Sequence, residues 1–141
     1  MSYRLSLLSG LALAIAVSLG CNGPTGPPTF DVKGKVTMNG EPMKVKTVNG
    51  MKLGTVKLWV VKQDGADPLG KREAAVKDDG TFVFEGLTKP LAGKHKVCVE
   101  WKDDFSGPDK LGKKFDEKNS KIVRTFPEDK EITIDVSKPE G

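Results

Sequence analysis

Between residues 30 and 136 apolar side chains recur at every second position, and no stretch of ten or more residues carries an apolar stripe at helical spacing. Successive side chains of a strand point to opposite faces, so alternation of this kind buries one face and wets the other. A helix would instead need apolar residues three and four apart. The domain is therefore expected to be all-β. Phe30, Val32, Val36 and Met38 share one face of a first strand over residues 30–38, with Asp31, Lys33, Lys35 and Thr37 on the other. Asn39-Gly40 then turns the chain, because both residues tolerate positive φ. Asn49-Gly50 does the same after a short irregular strand within residues 43–48.

A strand over residues 51–62 is expected next, with Val56, Leu58 and Val60 inward and Lys57 and Trp59 outward. Residues 63–70 form a loop. Strands over 71–77 and 81–85 make a hairpin around Asp78-Asp79-Gly80, with Phe82 and Phe84 pointing to the core. In the strand over 94–102, Val97, Val99 and Trp101 face inward while Lys96, Cys98 and Glu100 face out. Residues 103–120 are polar and longer than most connections, which makes them a surface excursion or a functional loop. Strands over 122–126 and 131–136 close the domain, with Ile132, Ile134 and Val136 inward. About seven short strands separated by turn signals indicate a single two-sheet β-sandwich.

The first twenty residues follow a different logic. Arg4 is the only charged residue ahead of an apolar run over residues 5–19, and small Gly20 precedes Cys21, which is the order of an export signal. The run falls below the roughly 17–25 apolar residues that span a bilayer core. The segment is similar to a lipobox at Gly20-Cys21, with Ser18 and Leu19 standing in swapped order before it. Lipidation of Cys21 is expected, by acyl chains such as palmitate that contribute about 0.8 kcal/mol per buried CH₂. Release as an ordinary secreted protein is the alternative. The expected organisation is a cleaved lipoprotein signal peptide at 1–20, a lipid-anchored Pro/Gly-rich linker at 21–29, the sandwich at 30–137 and a tail at 138–141. Such a protein sits in the cell envelope, held on the outer or inner membrane by its lipid.

Composition and candidate chemistry narrow the function. The 23 Lys and Arg residues are interleaved with 19 Asp and Glu residues, a mixed solvated surface without the basic stripe that nucleic-acid binding needs. His95 is the one histidine, which excludes a His-based zinc peptidase site. Ser106, Ser120 and Ser137 are the serines beyond the signal, all in or beside polar stretches and none in a nucleophile-elbow context. Asp78-Asp79 and Asp103-Asp104 are acid pairs. Asp78 and Asp79 are weak calcium candidates, although adjacent acids beside glycine are also ordinary turn chemistry. With Cys21 lipidated, Cys98 has no intramolecular partner and is expected to be inert. Trp59, on an outward face, is a candidate contact for a ligand or partner, or a cover for the sandwich edge. No catalytic residue, cofactor or metal is expected.

Three runs in order, GKVTMNGEP from Gly34, KDDGTFVF from Lys77 and AGKHKVCVEW from Ala92, resemble the carboxypeptidase regulatory-like, or transthyretin-like, domain of small bacterial lipoproteins. The stretch KKFDEKNSKIVRTFPEDKEITIDV from Lys113 resembles the closing segment of that family, and the likeness covers residues 30–136. Residues 43–54 depart from the pattern, which goes more directly from the first turn to the second strand. The resemblance implies a prealbumin-like sandwich serving as a structural or protein-interaction module bound to an envelope protein, or as a carbohydrate-binding accessory domain. It implies no peptidase site. The hydroxyisourate-hydrolysing and intradiol-type variants of this fold need more histidine and tyrosine than the chain has, since Tyr3, the one tyrosine, lies in the signal.

Overall fold

A computed structural model of the protein describes residues 26, 28–63, 70–88 and 92–138. The expected signal, Cys21, most of the linker and all of the tail except Lys138 lie outside the described residues. Within them the protein is all-β, with strands β1 (Thr29–Thr37), β2 (Thr47–Val48), β3 (Met51–Lys52), β4 (Thr55–Lys62), β5 (Arg72–Ala75), β6 (Thr81–Thr88), β7 (Gly93–Lys102), β8 (Val123–Phe126) and β9 (Glu131–Asp135). One sheet has the order β6-β1-β9, the other β5-β4-β7-β8, and β2-β3 form a separate hairpin. β1 runs antiparallel to β6 and parallel to β9.

The two sheets share one core, as the alternation requires. Val32, Val36, Phe82, Phe84, Ile132 and Ile134 come from the first sheet, and Leu58, Val60, Ala74, Val97, Val99 and Phe126 from the second. Each fully buried Val, Ile, Leu or Phe among them contributes about 1.5–3 kcal/mol. His95 belongs to the inward face as well, since it alternates with Val97, and it is 1% exposed.

The hairpin expected of strands 71–77 and 81–85 does not form, because the chain crosses between the sheets at Asp78-Asp79-Gly80, β5 pairing with β4 in one and β6 with β1 in the other. Three further features differ from the sequence expectation. Residues 51–62 are not one strand, because the chain breaks pairing at Leu53-Gly54 to pass the end of β7. A Cβ at Gly54 would lie 2.1 Å from the Lys102 carbonyl oxygen, so only glycine permits that approach. The irregular strand expected within 43–48 shrinks to Thr47–Val48, closed by Asn49 and Gly50 at φ 50° and 77°. Both positive values suit the twist of a two-residue hairpin. β6 runs past Glu85 to Thr88 through an irregularity opposite residues 30–32, where the Gly86 N–H donates to Asp31 Oδ1 at 2.9 Å.

The long polar stretch is a structural part of the sandwich. β8 pairs only with residues 93–96 of β7, which would leave the rest of that edge open. Residues 109–122 close it. Val97 N donates to Ile122 O at 2.9 Å, Val99 N to Phe115 O at 3.0 Å, and Lys110 N to Trp101 O at 2.7 Å. Leu111, Phe115 and Ile122 enter the core from the same segment. Its start is held by one carboxylate. Asp109 Oδ1 accepts the backbone N–H groups of Trp101 and Leu111, both at 3.0 Å, and Oδ2 accepts that of Lys113 at 2.9 Å.

Asp109→Ala strands three N–H groups, two of them on residues at least half withdrawn from water. An unsatisfied group of this kind costs about 1–3 kcal/mol. Urea unfolding is expected to show Asp109→Ala destabilised within or above that range, and Asp109→Asn, which keeps one acceptor oxygen, by less.

Candidate functional site

The outer face of the four-stranded sheet carries the candidate residues. Trp59 lies on that face, as alternation predicts, but is only 9% exposed. Its Nε1–H donates to Glu117 Oε1 at 3.2 Å, and Lys71 Nζ stands 4.7 Å from the ring centre. One ring face is taken by an ammonium and the polar edge by a carboxylate, so Trp59 is not a bare stacking platform. It covers the sheet. Its cross-strand neighbour Cys98 is also on the outer face and is fully buried, because the turn at Asp116 and Glu117 crosses the sheet there. Burial pushes the Cys98 thiol up to about 12, and the negative charge of Glu117 adds to the effect. A thiol held protonated and out of solvent is neither a nucleophile nor a metal ligand at neutral pH.

Around Trp59 the charges alternate in sign. Lys71 Nζ lies 2.8 Å from Glu73, and the hydrogen bond from Lys71 holds the Glu73 carboxyl below its ordinary range. Lys57 stands opposite Glu100 in the β4–β7 register, and Glu100 lies 3.5 Å from Lys102 Nζ. The edge-covering loop rises beside this array through Gly107, Pro108, Gly112 and Lys113, leaving a groove of about 840 Å³ with Trp59 on its floor. Lys113 adopts φ 62°, fixed by its N–H to Asp109 and by Asn119 Nδ2 donating to its carbonyl at 3.1 Å. Among the described residues neither Lys57 nor Lys113 has a carboxylate within 4.0 Å.

The other candidates separate. Asp78 is ion-paired with Lys52, and Asp79 accepts from the Thr81 N–H at 2.9 Å and hydroxyl at 2.7 Å. That bonding from Thr81, its hydroxyl first, lowers the Asp79 carboxyl from its ordinary value. Among the described residues no three or more His, Cys, Asp or Glu side chains converge to hold a metal ion. His95 Nδ1 lies 3.1 Å from Gly93 O, the ring packs on Phe126 at 5.1 Å between centres, and Nε2 has no hydrogen-bond partner. Trp101 is half-buried against the core, with its Nε1–H on Lys44 O at 3.2 Å.

A second surface was not legible as a site in the sequence. Among the described residues the exposed large apolar side chains are Val48 at 42%, Met51 at 67% and Phe105 at 63%. Val48 and Met51 flank the hairpin turn, and the Phe105 N–H donates to Leu53 O at 2.6 Å, which brings all three to one pole. Registers place that pole with the end of β1, the start of β4 and the end of β7. Thr29, where the chain enters the sandwich, pairs with Thr88 at the opposite pole. The signal available in sequence was Phe105, one of two aromatics inside a polar run, the other being Phe115.

Comparison of the chain with protein-family models, with curated proteins and with solved structures finds no match.

The Cys98 geometry has a pH signature. A thiol raised in the folded state favours folding at pH values below its unfolded pKa, and the advantage is lost as pH rises toward about 12. Between about pH 9 and 12 the wild type is expected to lose stability to denaturant more steeply than Cys98→Ala. Below pH 8 the two curves should run parallel, and the native thiol should resist a water-soluble thiol reagent until the protein unfolds.

Proposed function

We propose that this protein is a non-enzymatic, lipid-anchored module of the cell envelope whose work is to present a docking surface to another protein. The observation that carries the reading is the segregation of exposed apolar residues. Monomeric proteins scatter exposed apolar side chains, whereas a contiguous patch marks a contact surface. Here Val48, Met51 and Phe105 gather at one pole while the N-terminal strand begins at the other. A lipid on Cys21, eight residues before Thr29, would hold the protein by the far pole and turn the patch away from the membrane. The transthyretin-like resemblance fits this use, since it implies a rigid sandwich carrying loops at its ends. The turns at Asn39-Gly40 and Asp78-Asp79-Gly80 fall inside the sequence runs that carry the resemblance.

The reading makes two separable demands. Cys21→Ala is expected to move the protein from the membrane fraction to the soluble one and to abolish incorporation of a labelled fatty acid. With the anchor intact, a photo-cross-linking residue at position 51 is expected to capture one discrete protein, and Phe105→Asp to reduce that capture severalfold. The same probe at position 35, on the outer face of the three-stranded sheet, should capture none. Equal capture at both positions would sink the docking assignment, and unchanged fractionation of Cys21→Ala would sink the anchor.

A further inference from the structure

We infer that the groove beside Trp59 is a binding site for an acidic carbohydrate, a sugar unit bearing a carboxylate or a phosphate, on a surface distinct from the apolar pole. A volume of about 840 Å³ is far more than a single anion occupies. It lies in the range of roughly 300–1,000 Å³ in which whole small ligands are held. The lining suits hydroxyl groups. Each sugar hydroxyl both donates and accepts, and the outer face offers ammonium and carboxylate groups in alternation from Lys71 and Glu73 through Lys57 to Glu100 and Lys102.

The ligand's negative charge follows from the lining, in which four lysines, Lys57, Lys71, Lys102 and Lys113, face three acids, Glu100, Asp109 and Asp116. Of the acids in the groove, Asp109 already accepts three backbone N–H groups and Asp116 Oδ1 accepts those of Lys118 and Asn119. Glu100 has Lys102 beside it. Lys57 on the floor and Lys113 on the wall keep ammonium groups with no carboxylate within 4.0 Å among the described residues. Charge-assisted hydrogen bonds from such groups are the strong ones, and an anionic substituent is what they lack. The backbone of Lys113 is also pre-set. It is fixed at positive φ by Asp109 and Asn119, so binding has to order the lysine side chain but not the loop that carries it. Trp59 contributes a rigid floor, because its ring is already held by Lys71 and Glu117.

The test uses the full chain in detergent micelles, titrated calorimetrically with oligogalacturonate, with poly(glycerol phosphate) and with neutral dextran. At least one anionic polymer is expected to bind, and which one does so identifies the source of the charge. The double variant Lys57→Gln/Lys113→Asn keeps a residue that tolerates positive φ at position 113 and should weaken binding about tenfold or more, each lost charge-assisted contact being worth that order. Lys33→Gln/Lys35→Gln, on the exposed outer face of the other sheet, should leave binding unchanged. A readout that needs no variant is the Trp59 indole N–H resonance, which should shift on saturation while that of Trp101 does not. Binding of dextran as tight as that of the anionic polymers, equal weakening in both double variants, a silent Trp59 resonance, or no binding by any polymer would each overturn the assignment. None of these outcomes touches the docking pole, which the position-51 probe tests separately.

Discussion

The open half of β7 is the constraint around which the rest of the protein is arranged. A sheet edge with unpaired N–H and C=O groups invites another chain, and proteins cover, charge or shorten such edges. Here β8 is only four residues long and pairs only with the first part of β7, so the other half needs a different cover. Residues 109–122 supply it without forming a strand. Three N–H groups collected on one carboxylate turn the chain at Asp109, and Leu111, Phe115 and Ile122 then seal the core that a longer β8 would have sealed.

That solution has consequences on both sides of the sheet. Inward, it completes the core. Outward, the turn at Asp116 and Glu117 crosses the sheet face, which withdraws Cys98 from solvent and fixes the indole of Trp59. A regular eighth strand would have left both on an open polar face. The groove exists because the cover is a loop with small residues, Gly107, Pro108 and Gly112, standing off the sheet beside Lys57 and Lys102. Edge protection and the candidate binding site are thus products of one segment, and a change that loosens Asp109 acts on both.

The strands were readable because apolar residues have period two in the sequence, and burial follows it in β9 and most of β1, while in β4 and β7 the buried Trp59 and Cys98 interrupt it. The Phe82–Phe84 and Val97–Val99 pairs fall inward as alternation requires. What alternation cannot register is coverage from above. It assigns Trp59 and Cys98 correctly to the outer face, yet their exposure depends on a segment whose own pattern is irregular. The break at Leu53-Gly54 was hidden for a related reason, since the close approach of Gly54 to the Lys102 carbonyl is a contact between residues far apart in sequence. The departure of residues 43–54 from the resembled pattern did mark the place where an extra hairpin stands. Lys57 and Lys113 could not have been picked from 23 basic residues, because what distinguishes them is that strand β4 and the edge-covering loop bring them to one groove.

Geometry also relates the two proposed surfaces to the proposed anchor. Nine residues of β1 at about 3.3 Å each make the sandwich roughly 30 Å long. Eight residues from Cys21 to Pro28 reach no more than about 29 Å at full extension. A domain tethered through Thr29 therefore cannot stand on its apolar pole over the same leaflet without the linker running its whole reach alongside the sandwich. Upright on the proposed anchor, it would carry Val48, Met51 and Phe105 about 30 Å or more from the headgroups, with the lysine-lined groove facing sideways along the four-stranded sheet. A partner held at the tip and a glycan strand passing along the flank would then be bound together, and neither would have to enter the space occupied by the other.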